Sequence, residues 1–423
     1  MAEYNIQMNV FNEANNDYNQ LYPTSNATIV TYDNTASGLI STNVQSAIDE
    51  LARIKANKTV ATYTVRIDET NSNPLTCCVY QDDAVGMTKG SSAWDTQAMF
   101  MDIKPCVFQN GIVNYYLNPD NYAQKVDGTP SDLTGTDGDV MVEFAKFAYR
   151  IYRSGNYLYV SISNDPTVIA ADSRFTYNAF SRNTLGDRDY MYVGAYHGYT
   201  ISSKLRSVSG QLPTVNQTIG TFRTQAQANG TGYQQFTFYQ LNALQCLYII
   251  KYGNLNSQSA LGMGYVSGSA AKASGDTNAN GMYYGTTSST QSVKFAGIED
   301  FWGNVYDWID GLYSDNSWHI LTNYGIYNDT GSGYTDNGQG ATSTISGYIS
   351  QTQGINSNTG FIIKTSAGSS STYYADSGGL YSARLPNFGG DWSEGAYAGA
   401  FQLYVNNSAS AANATIGARL SYI

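Results

Sequence analysis

The stretch "FAGIEDFWGNVYDWIDG", residues Phe295–Gly311, combines two tryptophans and a tyrosine with four carboxylates. Such a mixture is typical either of an acidic catalytic cleft or of a buried aromatic centre. Apolar spacing before Gly303 fits a helical turn, whereas the residues after it alternate as in a strand. Buried Trp N–H and Tyr O–H groups need hydrogen-bond partners, which the carboxylates and Asn304 can supply. We therefore interpret this stretch as a turn followed by a strand at the centre of the fold.

The composition indicates a protein built mainly from strands. Of the 423 residues only 13% are charged, while 37 are Tyr and 41 are Gly. This balance favours short strands and long polar loops over amphipathic helices, so we expect an α+β, β-rich fold. The chain length predicts roughly two or three domains.

Charge and hydropathy exclude two classes of partner. The net charge of −11, from 22 basic and 33 acidic residues, argues against nucleic acid, because a basic surface is needed to release counterions from a phosphate backbone. No window reaches the roughly 18 consecutive apolar residues of a membrane span. The opening residues also lack the basic and apolar regions of a secretory signal, so we expect synthesis in a cytoplasm without membrane insertion.

Local patterns divide the chain into three predicted domains. Residues 1–58 are a polar attachment segment, in which "VQSAIDELARIK", residues 44–55, has one apolar helical stripe. About three helical turns are not stable alone in water, so the stripe must pack on another domain or on copies of itself. We prefer self-association, as in a homotrimer. Residues 59–135 alternate as an antiparallel β module, and residues 136–423 form the last domain.

Three local elements are predicted within the last domain. The turn "SGN", residues 154–156, lies between two alternating runs and predicts a hairpin. Helical periodicity occurs in "TIGTFRTQAQANG", residues 218–230, and in "FTFYQLNALQCLYIIKYGN", residues 236–254. Gly253 fits the C-cap of the second helix.

Cysteine and carboxylate spacing gives no clear metal site or disulfide. The four cysteines are Cys77, Cys78, Cys106 and Cys246. They lack C-x-x-C spacing, and adjacent cysteines rarely bridge each other, so we expect free, buried thiols. The acidic loop of residues 125–139 could hold a calcium ion through its carboxylates, but a solvated turn explains the same residues. We predict no cofactor and no bound metal.

Two catalytic arrangements stay open as alternatives. A hydrolase triad would place one of the two histidines, His197 or His319, beside a nucleophile and an acid. A carboxylate pair for glycoside cleavage would combine Glu299 with a nearby aspartate. The candidate aspartates are Asp300, Asp307 and Asp310. Neither arrangement can be recognised from spacing alone, and we predict that the chain is not an enzyme.

Three motifs resemble those of one known fold. "GNVYDWI", residues 303–309, resembles the "GNVWEW" signature of the formylglycine-generating enzyme and sulfatase-modifying family, which has a C-type-lectin-like fold. "FGGDW", Phe388–Trp392, resembles that family's "RGGSW", and "IGARLSYI", Ile416–Ile423, resembles its closing "GFR" strand. The matches follow the family's order within residues 136–423. The resemblance implies a C-type-lectin-like domain with the structural core residues Trp302, Gly303, Asn304, Trp308, Gly389, Gly390, Trp392, Gly417 and Arg419.

The enzymes of that family bind copper through two cysteines late in the chain. In this sequence no cysteine follows Cys246, and neither hydroxyls nor amides replace a thiolate as a soft copper ligand. The sugar-binding signatures of calcium-dependent lectins are missing as well. The resemblance therefore implies the fold but not the oxygenase chemistry.

A second resemblance concerns the origin of the chain. "YNQLYPTSNATIVTYDNTASGLISTNVQSAIDELA", residues 18–52, is similar to the N-terminal connector of bacteriophage tail-fibre and baseplate proteins. The C-terminal segment, residues 385–423, resembles that of phage receptor-binding proteins with a C-type-lectin-like domain, some of them varied by diversity-generating retroelements. This resemblance implies a virion location and a homotrimer attached to other tail or baseplate proteins through the N-terminal segment.

The same resemblance implies that the C-terminal segment contacts a bacterial surface glycan or protein. Tyr offers rigid contact area, whereas Asn and Ser adapt their hydrogen bonds, so these residue types suit recognition. We expect Trp392 and Phe401 to support the packing of this segment. The predicted exposed ligand-binding positions are Asp391, Ser393, Glu394, Tyr397, Gln402, Tyr404, Asn406, Asn407, Ser410 and Asn413.

Three functional hypotheses follow from the sequence. The first is a virion receptor-binding protein of a tail fibre or tail tip that recognises a bacterial surface ligand. The second is a structural protein of the baseplate, neck or head decoration that only packs against its neighbours. The third is an enzyme that degrades surface glycans. Binding to host cell-wall fractions separates the first from the second, and release of reducing ends from polysaccharide would identify the third.

Overall fold

The computed structural model describes residues 8–12, 17–21, 43–48, 60–182 and 186–423, the first two ranges by their backbone alone. The chain forms two compact units, Met1–Thr59 and Val60–Ile423. The boundary between these units follows Thr59, one residue after the predicted end of the attachment segment at residue 58.

Most of the regular elements are short strands. In chain order the strands are β1 (Met8–Asn12), β2 (Asp17–Leu21), β3 (Thr62–Asp68), β4 (Cys78–Asp82), β5 (Ile103–Gln109), β6 (Ile112–Asn118), β7 (Asn121–Lys125), β8 (Asp139–Ala145), β9 (Ala148–Ser154), β10 (Tyr157–Ser163), β11 (Ser181–Arg182), β12 (Gly186–Asp187), β13 (Tyr190–Gly194), β14 (Tyr199–Ile201), β15 (Lys204–Arg206), β16 (Tyr233–Gln235), β17 (Lys294–Phe295), β18 (Ile298–Glu299), β19 (Tyr306–Trp308), β20 (Leu312–Ser314), β21 (His319–Thr322), β22 (Thr335–Gln339), β23 (Ile345–Tyr348), β24 (Gln351–Thr352), β25 (Ile363–Thr365), β26 (Ser377–Leu380), β27 (Leu385–Phe388), β28 (Leu403–Asn407), β29 (Ile416–Gly417) and β30 (Leu420–Tyr422). The α-helices are α1 (residues 44–48), α2 (Val168–Ala171), α3 (Ile219–Gln227), α4 (Phe238–Tyr252) and α5 (Ser257–Ala260). Short 3₁₀ turns span Ser92–Thr96, Asn178–Phe180 and Gly395–Tyr397.

The first unit contains a hairpin and a short helix. Strands β1 and β2 pair antiparallel, from Met8 opposite Leu21 to Asn12 opposite Asp17. At the start of α1 the side chain of Asn43 accepts a hydrogen bond from the Ser46 N–H at 2.8 Å. The start of the predicted helix is therefore confirmed, while the rest of its stripe, from residue 49, lies outside the described residues.

The predicted boundary between residues 135 and 136 is wrong, because strands from both sides of it share sheets. In the four-stranded sheet β4-β3-β10-β9, β3 pairs with β10, which lies far later in the chain. In the seven-stranded sheet β16-β30-β13-β8-β5-β6-β7, β5 pairs with β8. Local alternation reveals that a segment is a strand but not which strand it pairs with, so the sequence suggested two modules where one exists.

Helix α4 lies in the core of the second unit, packed against β3 and β10. It begins with a capping box, in which the Thr237 side chain accepts from the Gln240 N–H, and ends at Gly253, whose φ of 49° is left-handed. All of its residues are buried, including those outside the predicted stripe. A helix enclosed on every side is expected to be largely apolar, which explains the apolar run Cys246–Ile250. Both predicted helices are confirmed, as is the hairpin formed by β9 and β10.

The stretch Phe295–Gly311 lies in the interior, as its aromatic content predicted. Trp302 and Trp308 are 0% exposed. Their indole N–H groups donate to the backbone carbonyls of Met263 and Gln217, each at 3.2 Å. Burying two tryptophans with satisfied N–H groups stabilises the centre of the fold.

The residues predicted to form the structural core are buried, with one exception. Trp392 is partly exposed and belongs to none of the buried clusters, so this prediction is wrong for its side chain. Its backbone fixes the loop instead, since its N–H donates to Asn304 O at 3.0 Å and its carbonyl accepts from the Gly268 N–H at 2.6 Å. Phe401, the other predicted packing residue, is 0% exposed.

The cysteines and the acidic loop take simple structural roles. All four cysteines are free and buried, as predicted. In the acidic loop the carboxylates of Asp127 and Asp132 accept hydrogen bonds from the backbone N–H groups of Thr129 and Thr134. Asp139 forms an ion pair with Arg206. Within the described residues no group of three or more His, Cys, Asp or Glu side chains is placed to hold a metal ion. Nor does that part of the chain contain a helix whose length and apolar character would let it span a membrane.

Candidate ligand-binding face

Four adjacent strands of the six-stranded sheet position the candidate site. The sheet order is β23-β26-β28-β27-β19-β29. Tyr404 on β28 lies opposite Asn387 on β27, which lies opposite Trp308 on β19. Because alternate residues share a face of a strand, Tyr306 lies on the same face as Trp308 and Asn387. Ile416 on β29 pairs with Tyr306 and completes this face.

A pocket of about 250 Å³ opens on this face. Six of the ten predicted binding residues line it, namely Asp391, Glu394, Tyr404, Asn406, Asn407 and Asn413. The other lining residues are Tyr306, Asn387, Thr415 and Ile416. Six residues that the resemblance predicts as binding positions thus converge around one cavity, although they come from different strands and loops.

Two predicted residues are buried: Asp391 lies in the pocket wall, and Gln402 lies behind the wall, bonded to Tyr306 and Glu394. Asp391 is 4% exposed and Gln402 is 0% exposed, so the prediction that both are exposed is wrong. The reason is the turn at Gly389 and Gly390, whose φ angles of 96° and 83° direct the chain inward. A Cβ on Gly390 would lie 2.2 Å from Gln402 Oε1, so only glycine permits this approach.

Hydrogen bonds fix the wall of the pocket. Gln402 Nε2 donates to the Tyr306 hydroxyl at 3.0 Å and to Glu394 Oε2 at 3.2 Å. Asp391 Oδ1 accepts from the backbone N–H and the hydroxyl of Ser393, at 2.7 and 2.8 Å. The carboxylates are therefore held in place by neutral donors.

The pocket is acidic and presents hydrogen-bond acceptors. Burial, and then the nearby charge of Asp391, raises the pKa of Glu394, although hydrogen bonds with Tyr306 and Gln402 oppose this effect. Burial also raises the pKa of Tyr404. Among the described residues that line the pocket there is no Lys, Arg or His. Neither carboxylate is neutralised by a cation in the lining.

One buried acceptor in the lining is unsatisfied. Asn387 is 4% exposed, and its Oδ1 accepts no hydrogen bond from the described residues. Buried polar atoms usually have partners, and one without a partner beside a cavity indicates where a bound group can donate.

The remaining predicted residues lie outside the lining. Tyr397 is 47% exposed and packs against Tyr348, with ring centroids 4.9 Å apart. Ser393 and Ser410 are exposed. They form surface around the C-terminal loops without contributing to the cavity wall.

Sequence reasoning missed Tyr306 and Asn387, which lie on the strands beneath the loops. Tyr306 was assigned to the centre of the fold, which it does occupy, being 6% exposed. Asn387 is a polar residue within the buried run "LPNF", Leu385–Phe388. This polar residue in an otherwise apolar strand was the signal in the sequence, because a buried amide is uncommon and often has a functional role.

The alternative catalytic residues lie within the core. Glu299, Asp300, Asp307 and Asp310 are between 1% and 2% exposed. Glu299 accepts from the N–H groups of Gly275 and Thr277, each at 2.6 Å, and Asp310 accepts from Arg223. His197 is 4% exposed and contacts Asp307 at 3.0 Å, whereas His319 pairs with Asp336 at the surface. Burial and internal partners give these carboxylates structural roles.

No protein-family model matches the chain, and no curated protein matches it either.

Proposed function

We propose that this chain is a virion receptor-binding protein of a tail fibre or tail tip, which recognises a bacterial surface ligand through the C-terminal pocket. The observation that carries the proposal is the convergence of six predicted binding residues around one cavity. Polar side chains of Asn and Tyr on a rigid sheet suit recognition, because little conformational freedom is lost on binding. We further propose that the pocket binds without catalysing a reaction.

We also propose that the last part of the chain has a C-type-lectin-like fold. Contacts among the three resembling motifs support this. The Gly303 N–H donates to Gly389 O at 3.0 Å, which joins the first motif to the second. Arg419 Nε donates to Asp307 Oδ2 at 2.9 Å, which joins the first motif to the terminal strand. Separate sequence motifs that meet in space are expected if they belong to one fold.

The assembly belongs to the same proposal. A homotrimer attached to tail or baseplate proteins through its N-terminal segment would present three pockets to a repetitive surface. Linked sites bind such a surface more tightly than one site, because the second and third contacts form at high effective concentration. A small, polar pocket is sufficient for adhesion under those conditions.

The test is binding of the purified full-length chain to cell-envelope fractions from a panel of bacteria. Asn406 is exposed at the pocket edge, and Asn406→Arg would fill the opening with a long cationic side chain. We expect binding to one or more fractions, and a loss of at least roughly tenfold in affinity for the variant. The matched control is Asn156→Arg, in the exposed turn between β9 and β10, which should bind like the parent chain.

Two results would contradict the proposal. Absence of binding to every fraction by a well-folded chain would favour a structural protein that only packs in the particle. Release of reducing ends from the envelope polysaccharide would instead indicate an enzyme.

A further inference from the structure

The balance of charge and hydrogen-bonding groups in the pocket restricts what it can bind. We propose that the pocket takes a saccharide with a free, protonated amino group next to hydroxyl groups. This inference rests on the proposed function, since it assigns the chemical class of the ligand to the same pocket.

The pocket has an excess of hydrogen-bond acceptors. Asn387 lines the pocket, and its buried Oδ1 accepts no hydrogen bond from the described residues. Both described hydrogen bonds to the Asp391 carboxylate go to Oδ1. An amide oxygen or carboxylate oxygen at these positions requires a donor from the ligand. The ligand must therefore be rich in N–H or O–H groups.

The charge of the pocket is negative. Asp391 and Glu394 line it together, and no basic side chain accompanies them among the described lining residues. An anionic ligand, such as a phosphate-bearing or uronic-acid polymer, would meet two carboxylates without a compensating cation. An ammonium group removes this repulsion, and hydrogen bonds between an ammonium and a carboxylate are about twice as strong as neutral ones. Charge therefore favours an amine.

The rim of the pocket distinguishes a sugar from a lysine of a protein. It is formed by the amide side chains of Asn406, Asn407 and Asn413. Each amide both donates and accepts, as a sugar hydroxyl does, whereas the methylene chain of lysine uses neither property. The volume of about 250 Å³ is also below the roughly 300–1,000 Å³ of pockets that take drug-sized ligands. A single sugar ring fits this size and polarity better than a peptide segment.

The experiment measures binding of the intact chain to an oligosaccharide of β-linked glucosamine and to the same oligosaccharide after N-acetylation. Acetylation removes the charge and keeps the hydroxyl groups. We expect the free-amine form to bind at least about tenfold more tightly. A lysine-rich peptide should bind less tightly than the free-amine sugar, and a chelator should not change the affinity.

The variant Glu394→Gln removes one carboxylate and keeps the shape of the side chain. We expect it to weaken binding of the glucosamine oligosaccharide about tenfold and to bind the acetylated form like the parent chain. The matched control is Asp189→Asn, which removes the same charge from a side chain that is 85% exposed and lies outside the pocket. It should leave both affinities unchanged. An unaltered unfolding transition of Glu394→Gln verifies that the fold is intact.

The inference is overturned if both oligosaccharides bind equally, if neither binds, or if the lysine-rich peptide binds as tightly as the free-amine sugar. It is also overturned if a chelator abolishes binding, because the site would then depend on a metal ion.

Failure of this inference can be distinguished from failure of the proposed function. If envelope fractions are bound and Asn406→Arg abolishes that binding, the receptor role stands and only the ligand class is wrong. If no envelope fraction is bound, the proposed function itself fails.

Discussion

Individual residues decide whether the acidic stretch Phe295–Gly311 is a site or a core. Arg419 is fully buried and donates to Asp307 Oδ2 and to the backbone carbonyls of Gly194 and Asp300. Burial alone would raise the pKa of Asp307, but Arg419 and His197 bring it below its usual range. A buried carboxylate with such partners is held in its charged form and anchors the terminal strand.

The pKa of Asp300 is raised, in contrast to that of Asp307, and this predicts a pH dependence of the free energy of unfolding. Burial, followed by the charge of Glu299, raises the pKa of Asp300 to about 8. Between about pH 4 and about pH 8 the folded state holds a proton that the unfolded chain has lost. The free energy of unfolding therefore falls as pH rises through this window, by at most about 1.4 kcal/mol per pH unit from this group.

The variant Asp300→Asn cannot titrate, so its free energy of unfolding should fall less steeply from about pH 5 to about pH 8 than that of the parent chain. Urea unfolding at a series of pH values measures both slopes. Asp310, whose pKa burial raises to about 6, contributes to both proteins and cancels in the comparison. Identical slopes would mean that Asp300 is ionised in the folded state.

At the scale of elements, the turn after β27 determines the shape of the pocket. Gly389 and Gly390 have positive φ, and Asp391, which follows them, lies buried in the pocket wall. Gln402 then connects Tyr306 on β19 to Glu394 in the following loop. The pocket is thus built by one turn and the strands on either side of it.

Replacing Gly390 with alanine tests this arrangement. The new Cβ would lie 2.2 Å from Gln402 Oε1 and 2.8 Å from Ala398 Cβ, in addition to the strain of a φ of 83°. We expect the free energy of unfolding to fall by about 1–3 kcal/mol more than in Gly155→Ala. Gly155 is the matched control, because its φ is 59° and a Cβ there meets no atom within 4 Å. Equal losses in urea unfolding would show that the packing around Gln402 tolerates the extra atom.

Elements were predictable where the signal is local. Capping residues and a left-handed glycine define α4, and alternation defines the strand containing Trp308. The pairing of β3 with β10 was not predictable, since it joins segments distant in the chain. The depth of Asp391 was missed for a related reason. Two glycines permit an inward turn, but its direction depends on the Ala398 loop packed against it.

At the scale of the whole molecule, strand β30 is integrated into the seven-stranded sheet of the second unit. Strand β30 pairs with both β13 and β16, and Ile423 is 2% exposed. The loop between β28 and β29 is connected at both ends to strands that belong to the sheets. The receptor role itself stays a proposal.

The most direct test of that role is amide hydrogen exchange of the intact chain, alone and bound to an envelope fraction that retains it. Exchange reports local protection of the backbone, so it locates the contact without any substitution. We predict slower exchange in residues 391–415 on binding and unchanged exchange in the turn between β9 and β10. Protection elsewhere, with residues 391–415 exchanging as in the free chain, would contradict the claim that the C-terminal pocket contacts the receptor.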